Sequence, residues 1–266
     1  DVVDRIKHFL VYSTLYLVVI AMIEVATVQF ITSIPLTPAP VVVGLVTFSV
    51  YAGDRIADAD TDELSNPEQS GFVVRHERVL SVLTALSYGL AVAIAVTGGP
   101  VTLAITLVPG AFWILYASDW LPEASAFASR LKEKLVVGTG LVSLAWALSV
   151  VVLPLAFADA PFTPLAGVLF VYFFVDTFVT TEIINVRDVD GDAAIGVDTF
   201  PVVFGVDRTR QILYGLDLLL IGVVGVAVAV GIVPFVVGLA LFVGLVYALG
   251  LAYFVGRSTQ HTRMGI

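Results

Sequence analysis

The sequence predicts an all-α fold, a polytopic membrane bundle of about eight transmembrane helices. Three observations predict it. Of the 266 residues 59% are hydrophobic and only 13% charged, with a mean hydropathy of +1.01. The apolar residues fall in long blocks, and the basic residues crowd into alternate connections between them. A water-soluble domain has too little interior to hide so much apolar surface. In lipid, backbone groups must pair within a helix or a closed barrel, and these blocks are too long and too evenly apolar for alternating barrel strands.

The blocks are residues 8–32, 36–53, 79–96, 101–117, 135–156, 165–184, 212–230 and 233–255. Each is close to the roughly 20 residues that cross a hydrocarbon core about 30 Å thick. The first has no cationic leader or small-residue cleavage site before or after it, so it reads as a permanent helix and not a signal peptide. We read residues 1–266 as one transmembrane domain. Helix two and helix six each run into an aspartate cluster, which divides the chain into two weakly similar four-helix halves.

Basic residues favour the cytoplasmic side. With eight helices, all 13 lysines and arginines fall at the termini and in the connections after helices two, four and six, whereas the opposite turns carry Asp159 as their only charge. Both termini and the acidic segments are therefore expected in the cytoplasm. So are three long connections, near residues 58–77, 118–133 and 186–210. A net charge of −9 and a pI near 4.6 exclude a nucleic-acid partner, which needs clustered basic surface. They suit cation binding and a salt-rich cytosol. The absence of cysteine excludes disulfides, thiolate zinc sites and a cysteine nucleophile.

Chemistry concentrates in the two clusters. In the first, Asp54, Asp58 and Asp62 recur every four residues and stripe one helix face, with Asp60 between them. In the second, Asn185, Asp188 and Asp192 stand at i, i+3 and i+7; Glu182 extends that stripe, and Asp190 falls off it unless Gly191 unwinds the helix. Stacked carboxylates destabilise a helix unless a cation neutralises them, and a hard cation such as Mg²⁺ takes carboxylate, phosphate and water oxygens. Two carboxylate sets at equivalent helix ends suit a metal-bound diphosphate whose apolar tail lies between helices. Plain boundary charges account for one cluster about as well, and for two much less well.

These residues resemble the UbiA superfamily of intramembrane prenyltransferases over nearly the whole chain. The family has an Asn-x-x-x-Asp-x-x-x-Asp segment after helix two, matched here by Asp54, Asp58 and Asp62, and an Asp-x-x-x-Asp segment after helix six, matched by Asp188 and Asp192. The tract running from Asn185 through Arg187, Asp188, Gly191 and Asp192 to Gly196, Thr199, Pro201 and Gly205 carries the likeness furthest. The resemblance implies Mg²⁺ held by Asp54, Asp58, Asp62, Asp188 and Asp192, a prenyl diphosphate substrate and a lipophilic acceptor. It also implies a lysine at the diphosphate, for which Lys132 is the candidate and Lys134 or Arg130 could substitute, with Tyr116 close by; Arg187 and Arg75 are further phosphate candidates by charge and position. A lysine snorkelling to the interface fits position 132 equally. The chain departs from the family in placing Asp54 where an Asn is usual and Asn66-Pro67-Glu68-Gln69 where an Arg-Pro pair is usual, and in showing eight helices where nine are typical.

Three further acids, Glu24, Asp176 and Asp217, fall inside apolar blocks. An interhelical hydrogen bond is the expected role of each, with Asp176 the foremost candidate to line the acceptor pocket. Phe170, Tyr172, Phe173, Phe174 and Phe178 crowd helix six, where aromatic faces suit either packing or a carbocation. The competing readings are a cation transporter using paired acids and a UbiA-like cyclase or inactive relative.

Overall fold

The computed structural model describes residues 14–57, 59, 67–117, 137–195 and 198–263. Among them the regular structure is helical throughout. It comprises α1 (Leu15–Ile31), α2 (Ala39–Ala57), α3 (Pro67–Thr97), α4 (Pro100–Ala117), α5 (Val137–Ala147), a π-helical stretch (Leu148–Val152), α6 (Leu153–Phe157), α7 (Pro164–Ile195), α8 (Phe200–Phe204), α9 (Val206–Ala229) and α10 (Phe235–Arg263). Every apolar block is met by a helix. Among the described residues α2, α3, α7, α9 and the segment Gly138–Phe157 are long and apolar enough to cross a bilayer, with shorter apolar stretches in α1, α4 and α10. Large apolar side chains stay exposed along them, including Leu86 on α3 and Leu218 and Leu219 on α9, as a lipid solvent allows. The protein is a multi-pass membrane protein.

Two expected loops are partly helix. α3 begins at Pro67, so all of 67–77 is helical, and α7 runs unbroken through Gly191 to Ile195. The apolar blocks mark only the buried part of each helix. At 31 and 32 residues, α3 and α7 are about 46–48 Å long and outreach the hydrocarbon core. Proline at the first helical position of α3 lacks only an N–H that would be unpaired there anyway.

The chain forms two compact units, Asp1–Leu121 with Leu148–Pro161, and Pro122–Ala147 with Phe162–Ile266. In the first, α2 packs against α1, α3 and α4 through small residues such as Ala39, Ala52 and Gly53. Ser49 Oγ donates to the Thr84 carbonyl at 3.0 Å. Pro109 lies inside α4, and the Tyr88 hydroxyl points to the nearby carbonyls of Thr106 and Leu107 at 3.5 and 3.4 Å. Gly110 makes room for it, since a Cβ there would lie 2.1 Å from the hydroxyl oxygen. The π-helical stretch ends just before Pro154, whose ring and missing N–H disturb the preceding helical turn.

The second unit is organised by α7, which packs against α5, α8, α9 and α10. Phe178 and Val179 on α7, Phe200 on α8 and Leu213 on α9 form a buried cluster, with the Phe178 and Phe200 rings edge to face. The Tyr172 hydroxyl donates to the Leu241 carbonyl at 3.3 Å. Phe178 and Tyr172, two of the helix-six aromatics, are thus packing residues.

Candidate functional site

The length of α7 explains where its polar residues stand. If α7 enters the bilayer at its first residue, Pro164, it has risen about 30 Å, the thickness of a hydrocarbon core, some 20 residues later. Glu182 through Asp192 therefore occupy the turns that leave the hydrocarbon, where carboxylates meet water and ions. Asn185, Asp188 and Asp192 share one face of this regular helix. Asp188 and Asp190 are exposed, and Asn185 and Asp192 half-buried.

Each of these side chains is held differently. Arg187 donates in fork geometry to Asp188, from Nε to Oδ1 at 2.8 Å and from Nη2 to Oδ2 at 2.9 Å. Thr199 Oγ1, in the connection to α8, donates to Asp192 Oδ2 at 3.3 Å. Glu182 is fully buried. Its Oε1 accepts from the Thr139 hydroxyl on α5 at 2.6 Å and its Oε2 from Asn185 Nδ2 at 3.1 Å. Glu182 lies on the expected stripe, but its oxygens are engaged by protein donors.

Of the first cluster, Asp54 is exposed in the last turn of α2; Asp58, Asp60 and Asp62 lie outside the described residues, as do Arg130 and Lys132. Arg75 is exposed on α3, and Tyr116 falls in the last turn of α4. Among the described residues no three Asp, Glu, His or Cys side chains converge on one point.

At mid-depth the structure departs from expectation. Asp217 on α9 is fully buried, yet among the described residues neither of its carboxylate oxygens has a hydrogen-bond partner. Its principal charged neighbour is Asp176 on α7. No interhelical bond forms because the helices meet there through another acid and apolar side chains. Thr139, the donor to Glu182, escapes sequence reasoning altogether, because nothing local marks a partner 43 residues away.

The sequence model of the UbiA prenyltransferase family matches residues 9–264. The fold is similar to that of a UbiA homolog from Archaeoglobus fulgidus, solved bound to DMAPP and Mg²⁺. The TM-score is 0.67 at 16% identity, covering 93% of this chain and 86% of that one. No curated protein matches the chain in sequence.

Proposed function

The chain belongs to the UbiA prenyltransferase family, and from that premise we propose that it transfers a prenyl group from an allylic diphosphate to a hydrophobic or aromatic acceptor within the membrane. The observation that carries this reading is the face of α7 bearing Asn185, Asp188 and Asp192. It offers two carboxylates one turn apart and a neutral amide oxygen, a donor set suited to a hard divalent cation.

Mg²⁺ is the proposed cofactor, held by Asp188 and Asp192 and by Asp54, Asp58 and Asp62. Bound there, it would neutralise diphosphate oxygens and stabilise the departing leaving group. Arg187 is the natural partner for a phosphate once a cation competes for Asp188, because its planar fork matches either anion. Arg75, Arg130 and Lys132 supply further positive charge. The bond broken is that between the allylic carbon and the diphosphate oxygen, which keeps the electron pair; the acceptor bonds to that carbon and gives up a proton. Residues 1–266 act as one domain, with termini and acidic segments in the cytoplasm, a side supported by the distribution of all 13 basic residues.

The test is diphosphate release by purified protein given geranylgeranyl diphosphate and a membrane extract, with and without Mg²⁺, alongside Asp58→Ala and Asp188→Ala. Mg²⁺-dependent release that falls at least 100-fold in either variant is expected. Absence of release by the unaltered protein overturns the reading and favours a cation transporter or an inactive relative.

A further inference from the structure

Hydrogen-bond chemistry around Glu182 fixes more than its own position. A carboxylate only accepts, so the Asn185 atom 3.1 Å from Glu182 Oε2 must be the amide nitrogen. The amide is planar, so Oδ1 then points away from Glu182. That leaves Oδ1 unengaged by Glu182, on a residue that shares its helix face with Asp188 and Asp192. Without Glu182 the amide is free to rotate and present either atom.

Glu182 is itself held by Thr139 on α5 at 2.6 Å and by Asn185 on its own helix. Asp192 is restrained separately, since Thr199, in the connection to α8, donates to Asp192 Oδ2 at 3.3 Å. One buried carboxylate thus joins α5 to the polar end of α7. With both oxygens engaged and no exposure to solvent, it is not available as a ligand.

We propose that Glu182 is a positioning residue: it orients the Asn185 amide so that Oδ1, with Asp188 and Asp192, completes the oxygen face that receives the divalent cation. This rests on the metal–diphosphate reading above. Outer-shell partners of this kind typically account for 10–100-fold in metal affinity.

The test measures metal binding directly, by Mn²⁺ electron paramagnetic resonance on detergent-purified protein with inorganic diphosphate, and separately the Mg²⁺ concentration for half-maximal diphosphate release. Glu182→Ala is expected to weaken Mn²⁺ binding and raise the half-activating Mg²⁺ concentration by at least 10-fold. Glu182→Gln is expected to stay within about threefold of the unaltered protein: its carbonyl still accepts from Asn185, and its NH₂ donates to Thr139 Oγ1, which turns from donor to acceptor. Asn185→Ala is expected to match Glu182→Ala, and the double variant to be no worse than either single one, because both act through one amide oxygen.

A Glu182→Ala protein with unchanged Mn²⁺ affinity and only reduced thermal stability or maximal rate overturns the proposal, as does additivity of the two substitutions. Should Glu182→Ala not fold, Asn185→Ala and Thr139→Val carry the same comparison. Mn²⁺ binding by the unaltered protein without diphosphate release would sink the proposed activity and leave the role of Glu182 intact.

Discussion

Glu182 and Asp217 are both acids with no exposed surface, placed on neighbouring helices of the same unit, yet they are treated in opposite ways. Glu182 receives a hydroxyl and an amide N–H. Among the described residues Asp217 receives no hydrogen bond at either oxygen, and it faces Asp176. Burial alone therefore does not identify a working acid. What separates the two is depth. Glu182 lies about 9 Å of helix rise before Asp188, near the polar end of α7, where Thr139 of α5 and Asn185 supply donors. Asp217 lies about 16 Å into α9, among side chains that have none to give. The first is an anchor whose removal strands its partners, and the second is a standing cost to the fold.

The largest effect expected from this contrast is on stability. Glu182→Leu leaves the Thr139 hydroxyl and the Asn185 amide without their acceptor, at about 1–3 kcal/mol for each group that stays buried. A fall in apparent melting temperature on the order of 10 °C in detergent is expected. A melt indistinguishable from that of the unaltered protein would mean that water replaces the carboxylate, and the contrast would collapse.

Thr139→Val is smaller in scale and isolates one bond. It keeps the shape of the side chain and removes the hydroxyl, so Glu182 Oε1 loses its donor inside the protein. A loss of about 1–3 kcal/mol is expected, read as a melting shift smaller than that of Glu182→Leu. If the two shifts are equal, the Thr139 bond accounts for the whole effect and the bond to Asn185 contributes nothing measurable.

Sequence reasoning reaches unevenly into these features. Eight apolar blocks locate the helices, and helical spacing alone sets Asn185, Asp188 and Asp192 on one face, because both depend on residues close together in the chain. Hydropathy is blind to the ends of α3 and α7, which continue past the bilayer at Pro67–Glu77 and through Gly191, since helices need no lipid once their polar residues meet water. Nor does any local pattern distinguish Glu182 from Asp217. Their difference lies in Thr139, 43 residues before Glu182, and in what α7 places opposite α9. The π-helical stretch Leu148–Val152 is likewise invisible beforehand, although Pro154 hints at a disturbance.

Asp217→Val carries the opposite sign. It removes two unpartnered oxygens and the repulsion from Asp176 at once, so a gain of about 1–2 kcal/mol is expected, seen as an unchanged or higher melting temperature. Diphosphate release should persist, because Asp217 lies on α9 well below the α7 turns that carry Asn185, Asp188 and Asp192. A variant that keeps its stability and loses activity would show that the buried carboxylate serves the reaction, and its missing partner would then be sought in the bound acceptor.

The smallest stability effect belongs to the pair with the best geometry. Arg187 and Asp188 make two short, parallel bonds, but their side chains are 68% and 47% exposed, so water competes for both. Arg187→Ala should change stability by less than about 1 kcal/mol. Its effect on binding should be larger and divided. The KM for the prenyl diphosphate should rise severalfold as a phosphate contact is lost, while the half-activating Mg²⁺ concentration falls, because Asp188 no longer has to exchange a guanidinium for the metal. A rise in both would place Arg187 with Glu182 as a support of the oxygen face; a change in neither would leave it a surface ion pair, and the diphosphate would depend on Arg75, Arg130 and Lys132.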